Sequence, residues 1–352
     1  LCHQTRWIGA AALALCCALP VAAQTPVTAS DIPAHFNAPT SDRDYDKRDV
    51  MIPMRDGVRL HLDIHAPKAS ATPLPFLLVR TPYGADASGN SLTGAYKELA
   101  EEGYIFVFQD IRGRYKSDGT FVMQRPPRPV DAGRGAIDES TDAYDTIDWL
   151  VKNVRSNNGR VGIYGTSYPG FYTTASCIDP HPALKACAPG SPMTDLWNGD
   201  DLFHNGAFYL GANFSFYQGF GRTPRAAELG PDPAYPELRP DMQGDAYATL
   251  LAMGPVGPGS RKSLPRETAP LWDLVMQHPS YDSFWQARDI RRHLTRMAPA
   301  MLEIGGFYDA EDLFGPFGTF RAIEERADAV SRAGNHLAIG PWTHGGWARG
   351  DG

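Results

Sequence analysis

From residue 48 onward, apolar positions follow two alternating patterns. Near-continuous apolar runs over 49–54, 58–65, 76–81, 104–109, 160–165, 184–188, 300–305 and 336–340 predict strands, several of them suited to a sheet covered on both faces. Between them, apolar residues at helical spacing predict helices over 91–102, 138–153 and 317–332, each just ahead of a strand. The stretch 138–153 carries carboxylates early and Trp149-Leu150-Val151 late, an order compatible with the helix dipole. Two strands followed by strand–helix alternation define an α/β chain with a largely parallel sheet. The alternation stops over 195–298, where Phe214-Ser215-Phe216-Tyr217-Gln218-Gly219-Phe220 and Gly254-Pro255-Val256-Gly257-Pro258-Gly259 stand among helix-like pieces at 246–253 and 281–293. This stretch is expected to be a mainly helical cap over the C-terminal edge of the sheet, with most of its aromatics forming the cap's own core. The sheet is then divided between 48–194 and 299–352.

The first 23 residues pair a basic start (His3, Arg6) with an apolar stretch from Trp7 to Leu19 and the small residues Val21-Ala22-Ala23. That is the pattern of a cleaved leader, too short to span a bilayer comfortably, and a buried N-terminal helix is the alternative. Residues 24–47 follow as an N-terminal arm. A periplasmic or secreted location is expected, with no stable membrane span once the leader is removed. Of the five cysteines, Cys2, Cys16 and Cys17 fall in the leader, leaving Cys177 and Cys187 either to bridge or to stay as buried thiols. The formal charge of -7, without any basic run, argues against a nucleic-acid partner. No Cys/His spacing suggests zinc, and nothing in the sequence requires a metal or organic cofactor.

Chemistry enters at Gly165-Thr166-Ser167-Tyr168-Pro169-Gly170, between an apolar run and a helix-compatible stretch. A serine on a tight strand-to-helix turn is held exposed at a strained apex, with small flanking residues letting strand and helix approach. Here Pro169 stands where the second glycine of G-x-S-x-G is common, and the glycine comes one residue later. Nucleophilic serine needs a histidine base and a carboxylate that fixes the imidazole, in the chain order Ser, acid, His. His344 directly follows the last strand, and Asp309 lies just past the strand before it. A solitary histidine is otherwise more often structural.

Further motifs make the comparison specific. Arg80-Thr81-Pro82-Tyr83-Gly84, Asp110-Ile111-Arg112-Gly113 with Ser117 and Gly119, the serine turn, Phe307-Tyr308-Asp309 and Gly340-Pro341-Trp342-Thr343-His344 stand in this order. Together they resemble the serine hydrolase family of cocaine esterase, X-prolyl dipeptidyl peptidases and α-amino acid ester hydrolases, an α/β-hydrolase family, over roughly 48–352. The resemblance implies Ser167, Asp309 and His344 as the triad. It also implies the Tyr168 backbone N–H and the Tyr83 hydroxyl as oxyanion donors; without it, Tyr83 is an ordinary turn or core tyrosine.

The stretches Asp200-Asp201 and Asp309-Ala310-Glu311-Asp312 look like the α-amino acid ester hydrolases, in which a carboxylate cluster holds the substrate's α-ammonium group. The matching positions are Asp201, Glu311 and Asp312; a hydrated acidic loop, or a helix N-cap ahead of Leu313, is the plainer reading. The expected substrate is an ester, or a related β-lactam amide, with a free α-amine. X-prolyl dipeptidyl peptidase, dicarboxylate-amide acylase and general carboxylesterase activity remain alternatives, as do an inactive fragment or a secreted binding domain, and a homo-oligomer stays open. Members of the family carry a C-terminal jelly-roll domain after the histidine. It is absent here, so the chain is expected to be a fragment of uncertain activity.

Overall fold

In the computed structural model the apolar runs become one eight-stranded sheet, ordered β1-β2-β4-β3-β5-β6-β9-β10. The structure describes residues 36–350 apart from 71, 90–91, 130–131, 134, 222–243, 258–259 and 261–262. The expected leader, the first half of the expected arm and part of the expected cap lie outside these residues. The strands are β1 (Tyr45–Pro53), β2 (Arg59–Pro67), β3 (Leu74–Thr81), β4 (Ile105–Asp110), β5 (Asn157–Thr166), β6 (Leu184–Gly190), β9 (Ala300–Gly306) and β10 (Asn335–Gly340), with β7 (Phe203–His204) and β8 (Ala207–Phe208) forming a separate small hairpin. β1 and β2 pair antiparallel, as do β2 and β4, and all pairings from β4 to β10 are parallel. β1 begins at Tyr45, inside the stretch read as an arm, because Tyr45 already pairs with Pro67.

Alternate side chains of the central strands enter different cores. Phe76, Leu78, Ile105 and Val107 pack with α4 (Glu139–Asn153) and α5 (Tyr168–Ser176), whereas Leu77, Val79, Phe106 and Phe108 pack with α1 (Ala85–Ser88), α2 (Leu92–Ala95) and α3 (Lys97–Glu102). A two-residue period with apolar partners on both sides is what a sheet covered on both faces requires. This is the expected α/β-hydrolase architecture.

The helices differ from expectation where side chains compete with the backbone. The predicted helix 91–102 is divided at Tyr96, whose ring packs 5.7 Å from Phe106 and 5.6 Å from Phe108. The predicted helix 317–332 starts earlier, as α10 (Phe314–Arg326), and breaks before α11 (Ala329–Ala333), where Asp328 caps by accepting the N–H of Ser331 at 2.8 Å. Between β6 and β9 lie α6 (Leu210–Phe220), α7 (Ala246–Met253), α8 (Ala269–Gln277) and α9 (Ser283–Arg288), and the segment read as 281–293 is α9 plus a 3-10 turn, Ile290–His293. Trp272 and Trp285 are fully buried and belong to the same apolar cluster as Phe76 and Leu78 of the sheet, not to a separate core of their own. Among the described residues no helix is long and apolar enough to cross a membrane.

Parallel strands deliver their following loops to one edge, and the segments carrying Tyr83, Ser167, Asp309 and His344 follow β3, β5, β9 and β10. A disulfide, Cys177–Cys187, joins the end of α5 to β6 across a sequence separation of 10. It decides between the two readings of that pair. A loop this short gives about 3 kcal/mol of stabilisation in the chain-entropy account. Replacing both cysteines by alanine is expected to lower the free energy of unfolding by about that amount in urea titrations; an unchanged midpoint would show that packing alone holds α5 to β6.

Candidate active site

Ser167 sits at φ 65°, ψ −126°, between β5 and α5. Such a backbone costs a non-glycine residue roughly 1–3 kcal/mol and persists only when its surroundings hold it. Its N–H donates to the Gly190 carbonyl at 2.9 Å, and its own carbonyl accepts from Phe171 N at 3.0 Å. The glycine spacing has a steric cause. A Cβ on Gly165 would lie 2.4 Å from the Pro169 oxygen, and one on Gly170 would lie 2.6 Å from the Gly190 oxygen, so the small residue is needed at 170. Pro169 falls in the first turn of α5, where its missing N–H has no partner to lose.

Asp309 is buried and fully engaged. Oδ1 accepts the N–H groups of Glu311 at 2.9 Å and Asp312 at 3.0 Å; Oδ2 accepts the Ser191 hydroxyl at 2.6 Å and lies 2.9 Å from His344 Nδ1. Burial pushes this carboxyl up, but His344, Ser191 and the Asp312 N–H outweigh it and hold the pKa near about 2. His344 is opposed by burial yet raised above the usual imidazole value by Asp309, then Glu311 and Asp201. An ionised acid on Nδ1 fixes the tautomer that leaves Nε2 free to accept a proton. No hydrogen bond links His344 to Ser167 in this structure; Nε2 lies 3.8 Å from Glu311 Oε2 instead. Such contacts commonly tighten only in the complex with substrate.

Ser167, Tyr83, Tyr168, Asp201 and Glu311 all face one cavity of about 180 Å³, walled otherwise by Met123, Met193, Leu202 and α6. The Tyr168 N–H opens α5, where no intrahelical acceptor exists, and the Tyr168 side chain is core, its hydroxyl accepting from Gln124 N at 3.0 Å. Tyr83 is 40% exposed, but into this cavity. Burial, then the nearby Asp201, holds its phenol well above the ordinary value, so the hydroxyl keeps its proton and no hydrogen bond among the described residues engages it.

The acids divide by position. Asp201 is half-buried at the cavity wall and is pushed up to about 8 by burial, then by Glu311 and Asp200, with His344 opposing. Glu311 is exposed at the mouth. Asp312, expected to face substrate, lies behind this wall: it is fully buried, Oδ1 accepts Asp201 N at 3.3 Å, and Oδ2 has no hydrogen-bond partner. Burial, then Asp201, raises it well above the carboxylate range. Nor does Asp312 cap the next helix, since Leu313 holds that position without a side-chain bond. Among the described residues, two groups place three potential metal-ligand atoms within 4.8 Å: Asp49, His61 and Asp86, and Glu311, Asp312 and His344. In the first, Lys116 already lies 2.7 Å from both aspartates.

Two contributors escaped sequence reasoning. Ser191, which holds Asp309, follows a Gly at a strand end, and that small-residue step is its only signal. Arg114 donates to the Pro82 carbonyl at 3.0 Å, beside Tyr83, and nothing in its local sequence announces this.

Comparison with known proteins places this geometry. Residues 56–346 match the family model described as X-Pro dipeptidyl-peptidase (S15 family). The chain is 32% identical over 307 residues to cocaine esterase of Rhodococcus sp. (strain MB1 Bresler), covering 84% of this chain and 48% of that protein. It superposes on a crystallised α-amino acid ester hydrolase with TM-score 0.71 and 37% identity, over 91% of this chain and 52% of that one. An aminopeptidase from the marine sediment archaeon Thaumarchaeota archaeon gives TM-score 0.71 and 36% identity, over 92% and 52%. The chain thus spans about half the length of the relatives it matches. With a serine on a strained elbow, an acid–histidine pair and this match over most of its length, the chain belongs to the S15 X-Pro dipeptidyl-peptidase family of serine hydrolases.

Proposed function

We propose that the protein is an exported serine hydrolase that cleaves, and transfers, the acyl groups of α-amino acid esters and related β-lactam amides. The observation that carries this reading is the opening of Asp201 and Glu311 into the same cavity as Ser167. A substrate whose carbonyl lies at Ser167 carries its α-ammonium two bonds away, inside the cavity that Asp201 and Glu311 also line. Crowding and burial leave Asp201 near about 8, so an ammonium that restores its charge is a favourable partner and a neutral acyl group is not.

In this reading Ser167 Oγ attacks the acyl carbon while its proton passes to His344 Nε2. The carbonyl oxygen becomes an oxyanion between the Tyr168 N–H and the Tyr83 hydroxyl, where each such donor is worth about 10²–10³ in kcat. Collapse expels the alcohol or amine, which takes the proton from His344 and leaves an acyl-enzyme on Ser167. Water or an amine then repeats the attack. Asp312, out of the cavity, supports Asp201 through its N–H rather than binding the amine. The leader-like start and the Cys177–Cys187 bridge support a periplasmic or secreted location. The likeness to an aminopeptidase favours a second reading, cleavage of peptides with a free N-terminus, which uses the same amine site with a different leaving group.

Three outcomes are expected of the protein expressed from its own gene. Phenylglycine methyl ester is hydrolysed with kcat/KM ~10–100-fold above phenylacetic acid methyl ester, the value of one charge-assisted pair, and Asp201→Asn removes the preference. Equal rates on the two esters would leave a general esterase, and a phenylglycyl peptide cleaved faster than the ester would favour the second reading. Ser167→Ala lowers kcat by on the order of 10⁴-fold or more. Because His344 works as a neutral base and its pKa is raised, kcat/KM falls on the acid side with a midpoint above 6.5. Glu311→Gln removes a charge that raises that pKa, and moves the midpoint to lower pH.

A further inference from the structure

Asp110-Ile111-Arg112-Gly113 and Ser117 are part of the sequence resemblance, and the loop 110–117 that they frame is used by no step of the proposed reaction. It grips the turn that carries Tyr83. Asp110 Oδ1 accepts the N–H of Ala85 at 2.7 Å, Arg114 Nε donates to the Pro82 carbonyl at 3.0 Å, and the Tyr115 ring lies 2.9 Å from where a Cβ on Gly84 would stand. Arg114 also reaches the cap. It donates to the carbonyl of Phe220, the last residue of α6, at 2.8 Å, and its guanidinium carbon lies 3.8 Å from the centre of the Phe220 ring. That ring meets Tyr83 edge-on at 6.0 Å, and Glu267 of the cap lies 3.9 Å from the guanidinium. Through Asn213, Phe216 and Tyr217, α6 in turn walls the cavity in front of Ser167.

We propose that Arg114 is a positioning residue for the Tyr83 hydroxyl: it clamps the Pro82 carbonyl of the oxyanion turn to the Phe220 carbonyl of α6, so that the seating of the cap sets where Tyr83 donates. The inference rests on Tyr83 acting as an oxyanion donor. A planar guanidinium carries donors that diverge, and one buried side chain can therefore serve carbonyls on two separate segments. A lysine keeps the charge but concentrates its donors on one atom. The Pro82 carbonyl is one residue from the donor, so the placement of α6 is transmitted through Arg114 to the turn that carries Tyr83. The same link gives the cap, which shapes the acyl pocket, a direct influence on rate as well as binding.

The test is a double-mutant cycle in the protein expressed from its own gene. Arg114→Lys, Arg114→Met and Tyr83→Phe are combined and assayed on the amino acid methyl ester, each first checked by near-UV circular dichroism and thermal melting. Arg114→Lys is expected to lower kcat ~10-fold, with KM changed less than about twofold, and Arg114→Met to lower it more. In the Tyr83→Phe background neither substitution is expected to cost anything further. Single-turnover phosphonylation of Ser167 by a fluorophosphonate, which also builds charge on an oxygen, is expected to follow the same pattern. Wild-type kcat in the Arg114 variants, an equal loss with and without the Tyr83 hydroxyl, or a change confined to KM would overturn the inference and leave the oxyanion reading standing. A wild-type rate in Tyr83→Phe would overturn that reading itself. If Arg114→Met does not fold, Arg114→Lys, which retains the buried cation, carries the cycle.

Discussion

The close approach of α5 to the end of β6 is the constraint on which the site depends. The Gly190 carbonyl accepts the N–H of Ser167 and leaves no room for a side chain at Gly170, so strand end and helix start are in contact without intervening atoms. One residue on, Ser191 holds Asp309, and Trp347, just beyond His344, packs where Gly190 would otherwise carry a Cβ. Ser167, Asp309 and the loop that bears His344 therefore meet at one two-residue step. The Cys177–Cys187 bridge closes the far end of the same helix onto the same strand. Strain at Ser167 is sustainable because these contacts converge on it from several directions, and a rigid apex is what a nucleophile needs if it is to meet a carbonyl at a fixed angle.

Around that step the electrostatics separate carboxylates that look alike in sequence. Asp309 is satisfied by two backbone N–H groups, a hydroxyl and an imidazole, and stays ionised in spite of burial. Asp201, half-buried, and Asp312, buried, stand beside other acids without comparable donors, and are pushed toward the neutral form. Local hydrogen bonding, not residue type, decides which carboxylate stays ionised beside a histidine and which is pushed toward the neutral form. The arrangement also explains why a site this acidic can persist in a folded protein: part of its charge is absent because Asp201 and Asp312 are raised toward the neutral form.

The segment between β6 and β9, expected to be a cap, takes part in the site. It supplies α6 to the cavity wall and the Phe220 ring to the aromatic cluster that surrounds Tyr83 and Tyr168. Arg114 joins that cluster to the turn after β3. The wall of the cavity and the turn that carries Tyr83 are thus linked through one side chain.

The sheet was legible because its signal is local: runs such as 76–81 and 104–109 are apolar on both faces, and only a covered, largely parallel sheet accommodates that pattern. The serine turn, Asp309 and His344 were legible as short motifs at strand ends, where the fold fixes which loops can meet. By itself the sequence determined the order of elements and the chemical types offered at one edge. Helix ends were less legible, as at Tyr96 and Asp328, because aromatic packing and a capping carboxylate override apolar spacing. Only the tertiary structure decided that Cys177 and Cys187 bond, that Asp312 stands behind the cavity while Asp201 faces it, and that Ser191 and Arg114 hold the machinery in place. Those roles are contacts between residues as much as 118 positions apart, and no local pattern encodes a distance that only chain folding creates.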